Sequence, residues 1–209
     1  MRASGGLLLL SGGIDSACLA ASLRPAQTLF IDYGQAPAEA ERAAARAVAR
    51  ELRLPFEAIT IDIQLLGSGI LAGADPVAGA PSPEWWPFRN QLLVTFAAAW
   101  AVSKRPSALQ GLDHVDVLTG TVRGDGERHL DGTRAFYEAL DTLLRAQEGG
   151  FGAAAPAIEM ETTTLLADSG IEDAVLGWTH SCHRANLPCL ECPGCYKREA
   201  VLQEAGRLG

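Results

Sequence analysis

The sequence has little of several features that mark particular classes of protein. Lys and Arg number 17 against 25 Asp and Glu, so the formal net charge is −8. A chain with this balance does not neutralise a run of nucleic-acid phosphates, although a few local donors can still hold a small anion. No apolar run approaches the roughly 18 residues that cross a membrane. We therefore expect no direct DNA binding and no membrane partner.

A secretory signal is not expected either. Arg2 precedes the apolar run 7–10, but Gly12, Gly13 and Asp15 interrupt it. The run is well short of the roughly 7–15 apolar residues of a signal peptide. The five cysteines are an odd number, and four lie near the C-terminus. We expect a cytoplasmic location, because we identify no targeting segment. In such a reducing compartment the cysteine pattern favours a metal site over disulfides.

Short apolar segments alternate with helix-forming segments along the chain. This order and spacing predict an α/β fold with a parallel sheet. The predicted strands are residues 7–10, 27–31, 56–63 and 115–118. The predicted helices are residues 15–23, 38–52, 90–103, 133–145 and 162–167, with a last helix ending near residue 206. A polar loop is expected over 119–132 and a flexible connection over 148–156.

Residues 65–87 differ from the rest, because they hold four glycines and four prolines. The composition predicts a long loop and a candidate lid. Trp85 and Trp86 in this loop either anchor it on the core or offer a flat face to a base. Cys18 lies among apolar residues of the first predicted helix, and we interpret it as a core residue.

A glycine-containing loop, Ser-Gly-Gly-Ile-Asp-Ser, joins the first strand to the first helix at residues 11–16. Open α/β sheets bind ligands at this place. The helix N-terminus offers unpaired N–H groups, glycines let a phosphate approach the backbone, and Ser11 and Ser16 add hydroxyl donors. Asp15 can hold a metal ion that is bound to phosphates. A tight turn with a helix cap is the alternative interpretation.

Four cysteines crowd the C-terminal segment with the spacing C-x6-C-x2-C-x2-C. They are Cys182, Cys189, Cys192 and Cys195. Four thiolates within fourteen residues match a closed, tetrahedral zinc site whose binding energy stabilises the fold. An iron–sulfur cluster is the alternative. His180 and His183 could compete as ligands, but four cysteines already fill a structural site.

The loop S-G-G-x-D-S resembles the pyrophosphate loop of the PP-loop ATP pyrophosphatases. Together with Asp32-Tyr33-Gly34-Gln35, Arg89-Asn90 and the four cysteines, it resembles QueC, the 7-cyano-7-deazaguanine synthase family, over nearly the whole chain. The resemblance implies an open parallel sheet with helices on both faces, a homodimer, and cleavage of ATP between its α and β phosphates. In that family ATP activates the carboxylate of 7-carboxy-7-deazaguanine, ammonia gives an amide, and a second ATP leads to the nitrile.

The resemblance also assigns roles to residues. Asp15, Ser16, Arg89 and Asp131 would be catalytic. Asp125 and Asp131 would recognise a purine-like edge or bind magnesium, with a turn or cap role as the alternative. The residues implied for ATP binding are Leu10, Ser11, Gly12, Gly13, Ile14, Asp15, Ser16, Asp32, Tyr33, Gly34, Gln35, Arg89, Asn90, Thr119, Gly120 and Asp125.

The chain departs from the family pattern in four places. Residues 36–38 are Ala-Pro-Ala where the family usually has Arg-His-Arg. Phe88 stands in place of a glycine, and Gly132 and Thr133 replace a cysteine and an arginine. Residues 160–166 lack a lysine that the family usually has. The ATP half of the site looks intact, whereas the half for substrate and nucleophile looks altered.

These departures leave three hypotheses open. The first is an ATP-dependent C–N ligase that makes 7-cyano-7-deazaguanine. The second is a diverged paralogue, of the kind found in bacterial anti-phage systems. It would adenylate a deazaguanine carboxylate and then stop at the amide, or couple the carboxylate to another amine, even on a protein acceptor. The third is a non-catalytic nucleotide-binding module. The predicted domains are an ATP-binding domain at 1–177 and a zinc-binding segment with a helix at 178–209.

Overall fold

A five-stranded parallel sheet forms the centre of the computed structural model, which describes residues 5–207. Its strands are β1 (Leu7–Leu9), β2 (Gln27–Asp32), β3 (Phe56–Thr60), β4 (Val115–Leu118) and β5 (Phe151–Ala154). They are arranged in the order β3-β2-β1-β4-β5, and all neighbours are parallel. The predicted parallel sheet is confirmed.

Eight α-helices surround the sheet within the described residues. They are α1 (Ile14–Leu23), α2 (Ala38–Glu51), α3 (Arg89–Lys104), α4 (Arg123–Arg128), α5 (Arg134–Arg145), α6 (Thr162–Asp168), α7 (Asp173–Leu176) and α8 (Pro193–Glu204). No helix among residues 5–207 combines the length and the apolarity needed to cross a membrane.

Both faces of the sheet are covered, because successive strand residues point to opposite faces. Leu8 and Phe30 belong to one apolar cluster, which α1, α2, α6, α7 and α8 complete. Leu7 and Leu29 belong to a second cluster, which α3 and α5 complete. Helices on both faces are therefore confirmed. Cys18 is fully buried in the first cluster, as predicted for a core residue.

The C-terminal helix shares its core with the first helix. Val201 and Leu202 of α8 lie in the same apolar cluster as Ala17 and Leu19 of α1. The segment after residue 177 thus packs on the sheet domain through apolar contacts as well as through its own cysteine cluster. The domain boundary at 177/178 stays a prediction.

The flexible connection predicted over 148–156 is wrong, because β5 lies within it. The strand pairs with β4 from Val115 with Phe151 to Leu118 with Ala154. Its sequence, Phe-Gly-Ala-Ala, has few residues that favour strands, and it follows Gly149 and Gly150 at positive φ. Pairing with a neighbouring strand places it in the sheet, and local sequence gives little sign of it.

Two other local predictions need correction. The polar loop predicted over 119–132 contains helix α4 and a 3-10 turn at Leu130–Gly132. The third strand ends at Thr60 and does not reach Ile63. Residues 65–87 do lack strands and α-helices, and two 3-10 turns, Gln64–Leu66 and Ile70–Ala72, lie within or beside them.

Trp86 anchors this long segment on the core. It is 2% exposed and packs edge-to-face on Tyr33, with ring centroids 5.0 Å apart. The anchoring interpretation is therefore confirmed for Trp86. A lid function for the segment stays a prediction.

Candidate active site

A cavity of about 320 Å³ opens at the carboxyl ends of β1 and β4. In the sheet, β2 and then β3 lie on one side of β1, and the chain next crosses to the other side of β1 to form β4. The loops after β1 and β4 therefore diverge, and ligands of open parallel sheets bind at such points. The cavity lining also comes from the start of α3, from Glu84 and from residues 180–201.

The glycine loop, residues 11–16, forms the floor of this cavity. Gly12 has φ +85°, and a Cβ there would lie 2.7 Å from the carbonyl oxygen of Glu41 and 2.9 Å from the Cβ of Ala44. Its own carbonyl accepts a hydrogen bond of 2.9 Å from the N–H of His180. Gly12 thus packs the loop against α2 and the C-terminal segment, and does not itself line the cavity.

The N-terminus of α1 points its main-chain donors toward the cavity. Gly13 occupies the N-cap position, and no side chain caps the helix. The Ser16 hydroxyl donates to the carbonyl of Gly13 at 3.1 Å and lies 3.1 Å from the hydroxyl of Ser11. The first-turn N–H groups and the helix dipole are therefore available to an anion.

Asp15 forms an ion pair that the sequence did not indicate. Lys197 Nζ lies 2.9 Å from Asp15 Oδ2 and 4.0 Å from Asp125 Oδ1. Burial raises the pKa of Asp15, and Lys197 opposes that rise. Burial acts to lower the pKa of Lys197, but Asp15 and Asp125 outweigh it and the pKa is raised. The second carboxylate oxygen of Asp15, Oδ1, is buried without a hydrogen-bond partner.

The turn after β2 contributes two of its four predicted residues to the cavity. Tyr33 and Gln35 line it, whereas Asp32 and Gly34 do not. Asp32 forms an ion pair with Arg42 and accepts the N–H of Gly34 at 3.2 Å. The side chains of Asp32 and Gln35 thus hold the turn itself.

Gln35 also holds a partly buried carboxyl group, that of Glu41, at the cavity wall. Its Nε2 donates to Glu41 Oε2 at 2.8 Å, and its Oε1 accepts the N–H of Tyr33 at 2.9 Å. Burial raises the pKa of Glu41 to about 7, although Gln35 and Arg89 act to lower it. We therefore expect Glu41 to change protonation state near neutral pH.

Arg89 and Asn90 begin α3 and face the cavity. Burial acts to lower the pKa of Arg89, but Tyr33 and Asp131 help to raise it, so the guanidinium stays charged. Asn90 Nδ2 donates to the carbonyl of Asp131 at 3.2 Å. Phe88, which precedes Arg89, is 72% exposed at φ +57°, a conformation that costs a non-glycine residue about 1 kcal/mol or more.

The loop after β4 touches the glycine loop directly. A Cβ on Gly120 would lie 3.0 Å from the backbone nitrogen of Ser16, so only a glycine fits without a shift. The hydroxyls of Thr119 and Thr121 lie 2.8 and 2.7 Å from the Tyr137 hydroxyl. This buried network fixes the loop at the edge of the cavity.

Several cavity residues were not predicted as site residues, and we call five of them the outer wall: Glu84, Arg128, His129, His183 and Lys197. Glu84 forms an ion pair with Arg128 and lies 3.9 Å from Nε2 of His129. Burial lowers the pKa of His183 to about 4, and also lowers that of His129. The outer wall joins residues more than 40 positions apart in the chain, so no local motif signals it.

The four cysteines meet at the base of the outer wall. Their sulfur atoms all lie within 4.8 Å of one another, and those of Cys189 and Cys195 are 3.9 Å apart. Within residues 5–207 this is the only such group of three or more possible metal ligands. A tetrahedral zinc ion with Zn–S distances of about 2.3 Å has S–S edges of about 3.8 Å. The N–H groups of His183 and Cys195 point at the sulfur of Cys192. His180 Nε2 contacts the carbonyl of Ala185 at 3.0 Å, outside the cluster.

The structure brings most of the predicted site residues to one cavity. Gly12, Asp32 and Gly34 are the predicted residues that do not line it. Those that do are Leu10, Ser11, Gly13, Ile14, Asp15, Ser16, Tyr33, Gln35, Arg89, Asn90, Thr119, Gly120, Asp125 and Asp131. Their roles in binding and catalysis stay predictions.

Comparison with known proteins gives one consistent result. The family model described as "Queuosine biosynthesis protein QueC" matches residues 5–206. The 7-cyano-7-deazaguanine synthase 1 of Desulfitobacterium hafniense (strain Y51) is 30% identical over 94% of this chain and 90% of that protein. The 7-cyano-7-deazaguanine synthase of Azotobacter vinelandii is 31% identical over 96% and 94%, and that of Synechococcus sp. is 30% identical over 96% and 95%.

Proposed function

Because the chain belongs to the QueC family, we propose that it is an ATP-dependent C–N ligase that makes 7-cyano-7-deazaguanine from 7-carboxy-7-deazaguanine and ammonia. The observation that carries this proposal is the shared cavity of the glycine loop and Arg89. A helix N-terminus that can bind phosphate and a charged guanidinium that can pair with a carboxylate face the same cavity.

The glycine loop suits the ATP phosphates. The uncapped N-terminus of α1 supplies main-chain donors, and Ser11 and Ser16 supply hydroxyl groups. The carboxylate oxygen of the substrate would attack the α phosphorus, and pyrophosphate would leave. Lys197 lies beside this loop and can offset the charge that develops on the leaving group.

The remaining steps balance with one further ATP. Ammonia attacks the activated carbonyl carbon, and AMP and a proton leave to give the amide. The amide oxygen then attacks the α phosphorus of a second ATP, and pyrophosphate leaves. Loss of AMP and a proton gives the nitrile. Arg89 would orient the carboxylate or amide through bidentate donation from its guanidinium.

Two metals fit the residues present. Asp15 Oδ1 is buried without a partner, so this oxygen would hold magnesium, which neutralises phosphate charge when it is bound. The four sulfur atoms suit a structural zinc ion, which would fix the segment carrying His183 and Lys197. The thiolate cluster and the use of ATP favour a cytoplasmic location. A homodimer stays a prediction.

The test is mass spectrometry of a reaction with 7-carboxy-7-deazaguanine, ATP, magnesium and ammonium. We expect the nitrile, with two AMP formed for each nitrile. Amide or adenylate without nitrile would instead support the diverged paralogue and a search for another amine acceptor, including a protein. If no AMP formed with any amine tried, the remaining hypothesis would be the non-catalytic nucleotide-binding module.

A matched pair of variants ties this activity to the glycine loop. Asp15→Asn should lower AMP formation by about a thousandfold or more, because it removes the carboxylate that would hold magnesium at the phosphates. Asp168→Asn makes the same chemical change at an exposed position outside the cavity and should leave the rate unchanged. Unchanged turnover in Asp15→Asn would remove the loop from the mechanism.

A further inference from the structure

One buried polar atom at the cavity has no partner that the proposed chemistry supplies. The Glu84 side chain is 8% exposed and lines the cavity. Its Oε1 is held by Arg128, with His129 Nε2 3.9 Å away. Its Oε2 is buried and accepts no hydrogen bond. A buried carboxylate oxygen left without a donor costs stability, so it favours a ligand that brings one.

The fold holds this carboxylate in place. Trp86, two residues further on, is packed on Tyr33, and the N–H of Trp85 donates to the carbonyl of Ser82 at 3.2 Å. The carbonyl of Pro83 accepts the N–H of Ile70 at 2.9 Å. Main-chain bonds and an aromatic anchor on either side therefore fix Glu84, and Arg128 fixes the direction of its side chain.

The free oxygen selects for a particular ligand chemistry. A carboxylate oxygen is acceptor-only and has two lone-pair positions. A phosphate or a second carboxylate is repelled by it. The edge of an adenine presents one amino donor beside a ring acceptor, whereas the edge of a guanine presents two adjacent donors, the ring N1–H and the 2-amino group. Only the second arrangement presents two parallel donors, which match the unpartnered Oε2 and the second lone pair of Oε1.

We propose that the Glu84 carboxylate, through its unpartnered Oε2 and the second lone pair of Oε1, accepts hydrogen bonds from the N1–H and 2-amino groups of a guanine-type base. This inference rests on the proposed function, because it assigns that base to the same cavity as the ATP phosphates. Arg89, on the same stretch of chain, would take the carboxylate of the substrate, so Glu84 reads the other polar edge. Glu84 is then the residue that determines specificity for a 2-amino base.

The test compares two ligands on two proteins by calorimetry. The ligands are 7-carboxy-7-deazaguanine and its analogue without the 2-amino group, and the proteins are the unchanged chain and Glu84→Gln. The unchanged chain should prefer the 2-amino ligand by about ten- to a hundredfold, the effect of one hydrogen bond to a charged group. Glu84→Gln should reduce that preference to a few-fold or less.

Glu127→Gln is the matched control. It removes the same charge from an exposed residue next to Arg128, outside the cavity, and should leave the preference unchanged. If Glu84→Gln weakened both ligands equally, Glu84 would be a structural residue and the inference would be wrong. Should that variant fail to fold, the unchanged chain still decides, because an absent preference for the 2-amino ligand overturns the inference.

The failures of the two proposals are distinguishable. If the preference for the 2-amino ligand depended on Glu84 but neither nitrile nor amide formed, the base-binding role would be supported and the proposed reaction contradicted. Normal nitrile formation without such a preference would contradict only the role of Glu84. If the unchanged chain bound neither base, both proposals would fall.

Discussion

The glycine loop and the outer wall face each other across one cavity but are built in different ways. The loop is six consecutive residues, fixed by main-chain geometry and by the packing of Gly12 on α2. The outer wall is assembled from three distant parts of the chain and is fixed by ion pairs between side chains. A contiguous site can be recognised in a sequence, whereas an assembled one requires the fold.

The glycine loop and the outer wall also differ in how freely their residues can change. The loop has few alternatives, because a helix N-terminus is needed to bind a phosphate and Gly12 packs against α2 at positive φ. The outer wall lies where the chain departs from the family pattern, near Phe88 and residues 132–133. Glu84 and Arg128 lie four residues before Phe88 and Gly132 and form an ion pair, so two altered segments meet at the outer wall.

The largest expected effect is loss of the metal site behind the outer wall. Cys192 is fully buried and caps α8, and serine is itself a good cap, so Cys192→Ser mainly tests the metal. We expect loss of bound zinc and more than about 3 kcal/mol of unfolding free energy. Elemental analysis and denaturation with and without a chelator measure both.

Cys18→Ser is the control for that experiment. Cys18 is equally buried but lies in the sheet core, outside the cysteine cluster. This variant should keep its zinc and still lose stability on chelation, whereas Cys192→Ser should not respond to a chelator. A zinc-free Cys192→Ser of unchanged stability would contradict the structural role of the metal.

The next effect tests the loop. An alanine at Gly12 adds a Cβ within 2.9 Å of two atoms of α2, at a φ that side chains rarely adopt, and should cost about 2–4 kcal/mol. Gly13 has ordinary φ, and a Cβ there meets nothing closer than 3.5 Å. Gly13→Ala should therefore change the free energy of unfolding by less than about 1 kcal/mol. Equal losses in urea denaturation would show that backbone geometry does not set the loop.

The same contrast explains which features could be predicted from the sequence. Periodicity and spacing predicted four of the five strands and the glycine loop, because each depends on neighbouring residues. They missed β5, whose Gly-Ala-Ala sequence favours no strand and which depends on pairing with β4. They also missed Glu84 and Lys197 as site residues, since only tertiary packing brings these to the cavity. Asp32, which the resemblance assigns to ATP binding, pairs with Arg42, and its role stays a prediction.

Lys197 is where the two regions meet. Lys197→Met removes the ammonium between Asp15 and Asp125 and should lower kcat/KM for ATP by about ten- to a hundredfold. Because Lys197 opposes the rise in the pKa of Asp15, the acid limb of the pH–rate profile should move to higher pH. Lys197→Arg should restore part of both effects, and Lys104→Met, at the end of α3, should change neither. If the acid limb did not move and AMP formed at the normal rate, Lys197 of the outer wall would have no effect on the glycine loop.

The last expected effect is the pH dependence of stability that arises from Glu41. Its pKa is raised to about 7 in the folded chain, mainly by burial, with Gln35 and Arg89 opposing and Asp32 adding to the rise. An ordinary glutamate has a pKa of about 4.3. The neutral form is therefore favoured in the folded state. The stability that the neutral carboxyl contributes is complete below about pH 4 and is lost as the pH rises through 7.

Glu41→Gln stays neutral and can still accept the Gln35 hydrogen bond. Its stability relative to the unchanged chain should rise by about 2–3 kcal/mol between pH 5 and pH 8. Glu57→Gln, at an exposed position of β3, is the control. A constant difference between Glu41→Gln and the unchanged chain across that range would show that the carboxyl beside the glycine loop does not titrate there.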